Sequence, residues 1–244
     1  MRNLCKTYRI ELFCLVNLAI TFTTVLILKL PFIIQLFPGL LAVLIIYREQ
    51  GKAKARKLFR KWFLTDLRSI TYYIIAFLIP LTATLLIFFL WEQPSSTDLD
   101  STTFPVIETI GVLLVTVIGS IAEEIGWRGF LLPEFFKKYS PAISAIVVGL
   151  IWGIWHFKTE AGIWVFLVYI IGTVEDSIVM TWLYLKTGQT LITSIIYHTS
   201  INIVFIACFG TGKDLPQMSY FGLLALLMLV PSLLAIYKLS KARI

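Results

Sequence analysis

Charge is what this sequence has least of. Asp, Glu, Lys and Arg make up 14% of the residues, against about 25% in a soluble domain. With 58% of the chain hydrophobic, this shortage excludes a protein solvated mainly by water. Cysteine is as sparse. Cys5, Cys14 and Cys208 are odd in number and far apart, which excludes a disulfide framework or a Cys-based metal spacing. Histidine occurs only as His156 and His198. No internal repeat or low-complexity tract is present. The net charge of +7 does not point to nucleic acid, because the basic residues lie between apolar segments, where they set orientation in a bilayer.

Long hydrophobic runs are abundant. About 20 apolar residues span the hydrocarbon core as a helix, and eight spans are expected, at about 10–28, 31–47, 70–91, 105–135, 141–157, 163–185, 190–209 and 219–238. The second is the weakest, being short and carrying Gln35, Pro38 and Gly39. The fold class implied is all-α: a multipass transmembrane helical bundle of about eight helices with a membrane-embedded polar cavity. It forms a single integral membrane domain over 1–244, with a basic cytoplasmic interfacial segment at 48–69 and a motif-bearing core at 105–209. Arg2, Lys6 and Arg9 ahead of the first run resemble a signal peptide, but the run is too long and lacks a small-x-small cleavage site. A retained first helix is expected.

Threading eight spans in turn gathers almost all Lys and Arg on the side of the N-terminus. Only Lys29, Lys158 and Lys213 fall opposite, and Arg128 falls within a span. This asymmetry predicts that both termini are cytoplasmic, and an integral protein of the plasma (inner) membrane is expected. The cluster from Arg48 to Arg68 reads as an interfacial helix on anionic headgroups. The loop Glu92–Phe104, with Asp98, Asp100 and no basic residue, reads as external.

Several polar residues lie inside apolar runs, where each must find a protein partner or water. They are Glu123, Glu124, Arg128, His156, Glu175, Asp176, His198 and Asn202. Helix geometry at 1.5 Å per residue allows the motif residues to meet. A fourth helix continuing to about Phe136 lifts Glu123 ~20 Å from its end. Ser140 and Pro141 have the character of an N-cap and first helical residue, and a helix starting there lifts His156 ~22 Å. A helix from about Thr190 places His198 at ~12 Å and Asn202 at ~18 Å. A straight fourth helix is assumed; one ending at Glu123 would instead leave the acids and His156 near opposite faces. The pairs Glu124/Arg128 and His198/Asn202 are spaced i, i+4 and share helix faces. Trp152 lies one turn below His156, as an aromatic wall beside the imidazole.

The pattern E-E-x-x-x-R followed by G-F-L, then W-x-x-x-H, then H-x-x-x-N resembles the CPBP family of membrane proteins, which includes the CAAX prenyl endopeptidases and the bacteriocin-processing or self-immunity proteins. The match runs from Glu123 to Asn202, about a third of the chain. The second motif has Trp152 where Phe is more usual in the family. The resemblance implies a glutamate-dependent intramembrane endopeptidase. In it Glu123 is the base that activates a water, His156 helps hold that water, and His198 and Asn202 stabilise the oxyanion. Glu124 and Arg128 organise the site or bind a substrate carboxylate. The chemistry is consistent on its own terms. Peptide hydrolysis needs a nucleophile, a proton acceptor and donors aimed at the developing oxyanion, and no Ser or Cys is clearly paired with a base here.

The implied partner is a peptide or protein substrate, prenylated or otherwise membrane-associated, and the bilayer itself; no nucleic acid is expected. Glu123, His156 and His198 are also zinc-ligand types, but H-E-x-x-H is absent, and no metal or other cofactor is expected. Glu175 and Asp176 carry no motif-based role. Two other readings use the same residues differently: a non-enzymatic immunity or scaffold protein that binds a peptide partner, and a small transporter or proton relay. The missing repeat weighs against the second.

Overall fold

A computed structural model describes residues 8–27, 31–90, 106–157, 162–209 and 216–242. Arg2, Cys5, Lys6, Lys29, Trp91, Lys158, Lys213, Arg243 and the acidic loop Glu92–Phe104 lie outside the described residues. The described residues form helices and connecting turns, with no strand. In chain order the α-helices are α1 (Arg9–Phe22), α2 (Phe37–Trp62), α3 (Ile70–Leu90), α4 (Val106–Glu124), α5 (Leu132–Phe136), α6 (Pro141–Trp155), α7 (Ile163–Lys186), α8 (Ile192–Phe209) and α9 (Gln217–Ser240).

The polarity of the bundle identifies its solvent. Glu123, Glu124, Arg128, Glu175, Asp176 and His198 are buried, whereas Leu86, Phe89, Leu114, Ile118, Leu226 and Leu234 are exposed. Among the described residues, five helical stretches are long and apolar enough to cross a membrane: Leu67–Leu90, Ile110–Phe136, Ile163–Lys186, Ile192–Phe209 and Gln217–Ser240. Only 22–39% of each apolar window is buried inside the molecule, so most of that surface must meet lipid. The chain is an integral membrane protein with a helical bundle fold. Pro141–Trp155 is a shorter apolar helix. The first two expected spans are interrupted. The first ends in a π turn, Thr23–Ile27, and the second opens as a 3-10 turn, Pro31–Leu36, before α2. Rather than stopping near residue 47, α2 runs on into the basic segment, with a break at Gly51, whose φ of 76° suits glycine.

Polar contacts gather the basic segments at one end of the bundle. Arg9 pairs with both Glu49 and Glu134, and Lys137 also pairs with Glu134. Lys61 donates to Gln189 at 2.8 Å, and the Leu191 N–H donates to the Trp62 carbonyl at 2.8 Å. The starts of α1 and α6 and the ends of α2 and α7 therefore share one end.

Small residues let the helices approach, as membrane packing requires. On α7, Thr173 and Ser177 donate across to the Gly149 and Ala145 carbonyls of α6, at 3.3 and 2.8 Å. The weak second span owes its composition to a similar contact. A Cβ at Gly39 would fall 2.5 Å from the Ala122 carbonyl oxygen, and one at Gly126 would fall 2.5 Å from Pro38. These glycines bring α2 against the chain on either side of Glu123. Gly126→Ala should therefore cost about 1–3 kcal/mol by overpacking, read as a lowered thermal midpoint in detergent; an unchanged midpoint would mean that α2 is held elsewhere.

The expected straight fourth helix is corrected in detail. The chain is α-helical to Glu124, π-helical over Ile125–Leu131 and α-helical again in α5. Arg128 lies within the wide turn, and π segments are frequent at functional sites. The helix does not end at Glu123. It reaches Phe136, and Ser140 caps α6 by accepting the Ile143 N–H at 3.4 Å, with Pro141 following.

Candidate active site

Glu123 lies one residue before the end of α4, with its side chain buried. Two indoles hold one of its oxygens. Trp152 Nε1–H donates to Oε2 at 2.9 Å from α6, and Trp127 Nε1–H donates to the same atom at 3.4 Å. An indole N–H can only donate, so Oε2 is the acceptor in both contacts.

Glu124 faces a different set of partners. Its Oε1 accepts from Arg128 at 3.0 Å and from His198 Nδ1 at 2.9 Å. Facing an ionised carboxylate, Nδ1 carries the proton. Glu124 and Arg128 are each 0% exposed. Burying such a pair costs several kcal/mol in desolvation per ion, which mutual attraction and hydrogen bonds must offset. The Arg128 guanidinium also lies 4.7 Å from the centre of the Trp152 ring, a cation–π contact. His198 meets the same indole edge-on, with centroids 5.2 Å apart. Trp152 thus touches Glu123 through its N–H, Arg128 through its face, and His198 through its ring.

His156 sits at the C-cap of α6. Its Nδ1 lies 2.9 Å from the Trp152 carbonyl, which can only accept, so in the neutral ring Nε2 bears the lone pair. Trp155 and Tyr169 pack on the imidazole with centroids at 5.0 and 5.2 Å.

These groups surround a cavity of about 390 Å³, within the size range of ligand sites. Glu123, Trp152, His156, His198 and Asn202 all line it; Glu124 and Arg128 do not. The motif residues therefore divide into five around the cavity and two sealed behind His198. Trp152, expected as an aromatic wall, is in addition a hydrogen-bond donor to Glu123.

Three participants, Trp127, Tyr169 and Tyr197, went unread in the sequence. Trp127 is one turn after Glu123, and i, i+4 spacing alone could have suggested it. Tyr169 and Asp176 both line the cavity from α7, seven residues apart on one face. Tyr197 donates to Asp176 Oδ1 at 2.8 Å, a pairing between helices that no local pattern encodes. Glu175, beside it, is buried with Oε2 unpartnered among the described residues. Among the described residues no three His, Cys, Asp or Glu side chains are grouped so as to hold a metal ion.

Residues 105–204 match the family model described as type II CAAX prenyl endopeptidase Rce1-like. A curated relative, CAAX prenyl protease 2 of Methanococcus maripaludis, is 28% identical over 106 residues, covering 38% of this chain and 39% of the relative. The matched part of the chain thus spans about two fifths of the length of that relative.

Proposed function

We propose that the chain is a member of the CPBP family that includes the CAAX prenyl proteases, on the match of residues 105–204 to the Rce1-like model and the likeness to CAAX prenyl protease 2, and that it is an intramembrane endopeptidase in which Glu123 activates a water. The observation that carries this reading is that Glu123, His156, His198 and Asn202 line one cavity. With Oε2 engaged by two indoles, Oε1 is the oxygen that takes the water's proton. His156 Nε2 accepts the water's second hydrogen and so aims its lone pair. As the water oxygen bonds to the scissile carbon, charge builds on the carbonyl oxygen, where donors come from the Asn202 amide and from the Nε2–H of His198 in its doubly protonated form, whose Nδ1–H is held by Glu124. Glu123 then returns its proton to the amide nitrogen as the C–N bond breaks. Glu124 and Arg128, shut off from the cavity, act as positioning residues that orient His198.

The substrate is a peptide or protein at the membrane, prenylated or otherwise lipid-associated, or a bacteriocin-type peptide. The distribution of Lys and Arg supports both termini lying in the cytoplasm, with the plasma membrane as the proposed location. Protein in liposomes should be incubated with prenylated and unprenylated membrane peptides and the products read by mass spectrometry. One new pair of termini is expected. Intact peptides throughout would leave a peptide-binding immunity or scaffold protein as the better reading.

Trp152→Phe keeps an aromatic ring beneath Arg128 and removes the N–H on Glu123. A hydrogen bond to a charged group contributes about 1.5–3 kcal/mol, so kcat should fall roughly 10- to 100-fold with KM and thermal midpoint little changed. A loss confined to KM would reassign Trp152 to substrate binding.

A further inference from the structure

A second cavity, of about 650 Å³, opens where α7 and α9 end. Lys186, Lys238 and Lys241 line it, together with Gln189 and Trp182. No acidic residue lines it, and among the described residues none of the three lysines has a carboxylate within ion-pair distance. Lys241 is held over the Tyr237 ring, 4.0 Å from its centre. The Trp182 N–H is buried and has no acceptor among the described residues. A buried donor without a partner calls for an explanation, and the Trp182 side chain that carries it borders a pocket of three cations.

The surface leading to this pocket is apolar. Leu233 is 57% exposed, Leu234 62% and Tyr237 53%. Leu234, Tyr237, Lys238 and Lys241 follow at spacings of three, one and three, along one side of α9. The same strip thus turns from hydrocarbon-facing to cationic within two helical turns. That is the profile of an anionic lipid, with acyl chains on the leucines and a phosphate among the lysines. A free anion would use the lysines but not the leucines.

We propose that the pocket at the ends of α7 and α9 is a binding site for the phosphate headgroup of an anionic phospholipid. Lys186, Lys238 and Lys241 supply charge, and Trp182 and Gln189 supply neutral donors to its oxygens. The end of α2 adjoins the site through Lys61, which donates to Gln189, so an occupied site would brace three helix ends at the membrane surface.

Native mass spectrometry of the whole chain, with phosphatidylglycerol competing against phosphatidylcholine of identical acyl chains, tests this. The wild type should retain phosphatidylglycerol preferentially. Charge near a membrane surface is worth about 1 kcal/mol per basic residue, or roughly fivefold, so Lys186→Gln, Lys238→Gln and Lys241→Gln should each lower the preference by about that factor and together abolish it. The control Lys137→Gln/Lys138→Gln removes two exposed charges from the turn before α6, outside the pocket, and should keep the preference. An equal loss in the control would overturn the proposal in favour of diffuse surface charge. Inorganic phosphate that displaces the lipid at low millimolar concentration would overturn the assignment to a lipid.

Discussion

Glu123→Gln should lower kcat for peptide cleavage by roughly 10²–10⁴-fold, the usual contribution of a positioned acid–base group, while leaving the protein folded. The substitution isolates the chemistry because the amide oxygen of Gln can still accept both indole N–H groups that now bind Oε2 at 2.9 and 3.4 Å. The side-chain volume is unchanged, and what disappears is the ability to take a proton from water. KM should hold, since Glu123 is one of many groups around the cavity. The check is steady-state cleavage of a quenched peptide in liposomes, alongside a thermal midpoint matching the wild type. Full activity in the Gln variant would remove Glu123 from the mechanism, whatever the family resemblance implies.

The largest loss of stability is expected from Arg128→Met. Its guanidinium pairs with Glu124 at 3.0 Å, and both side chains are fully buried. Removing one member of a buried pair leaves the other charge uncompensated, at a cost of about 3–5 kcal/mol. The double substitution Glu124→Gln/Arg128→Met takes both charges away and leaves an amide oxygen to accept from His198, so it should recover most of the lost stability. Denaturant midpoints in mixed micelles give both numbers. If the single and double variants unfold at the same midpoint, the pair is not coupled and Arg128 matters through its contact with the Trp152 ring.

How much of this could be read beforehand depended on whether the information was local. The apolar runs set the helices, because hydrocarbon leaves the backbone few alternatives. The depth of Glu123 and His156 followed from counting residues either side of the turn before Ser140 and Pro141, since rise per residue is fixed. Contacts between distant helices were not legible in this way. The 29 residues separating Trp152 from Glu123 and the 74 separating His198 from Glu124 carry no periodic signal. The division of labour between the adjacent acids depends on those contacts. Gly39 looked like a defect in a weak span, because the sequence cannot display the Ala122 carbonyl lying against it. The wide turn over Ile125–Leu131 was missed, although Gly126 and Gly129 are poor helix formers, because the apolar run continues through it without a proline or a polar break.

That wide turn gives the site a dependence on chain length as well as on residue identity. In an ordinary helix each residue advances the azimuth by roughly 100°. A chain one residue shorter between Ile125 and Leu131 could relax to regular winding and keep every motif side chain. It would nevertheless deliver α5 and the following hairpin rotated about the axis, carrying Trp152 and His156 away from Glu123. Related chains in this stretch should therefore tolerate exchanges of side chain far more readily than insertions or deletions.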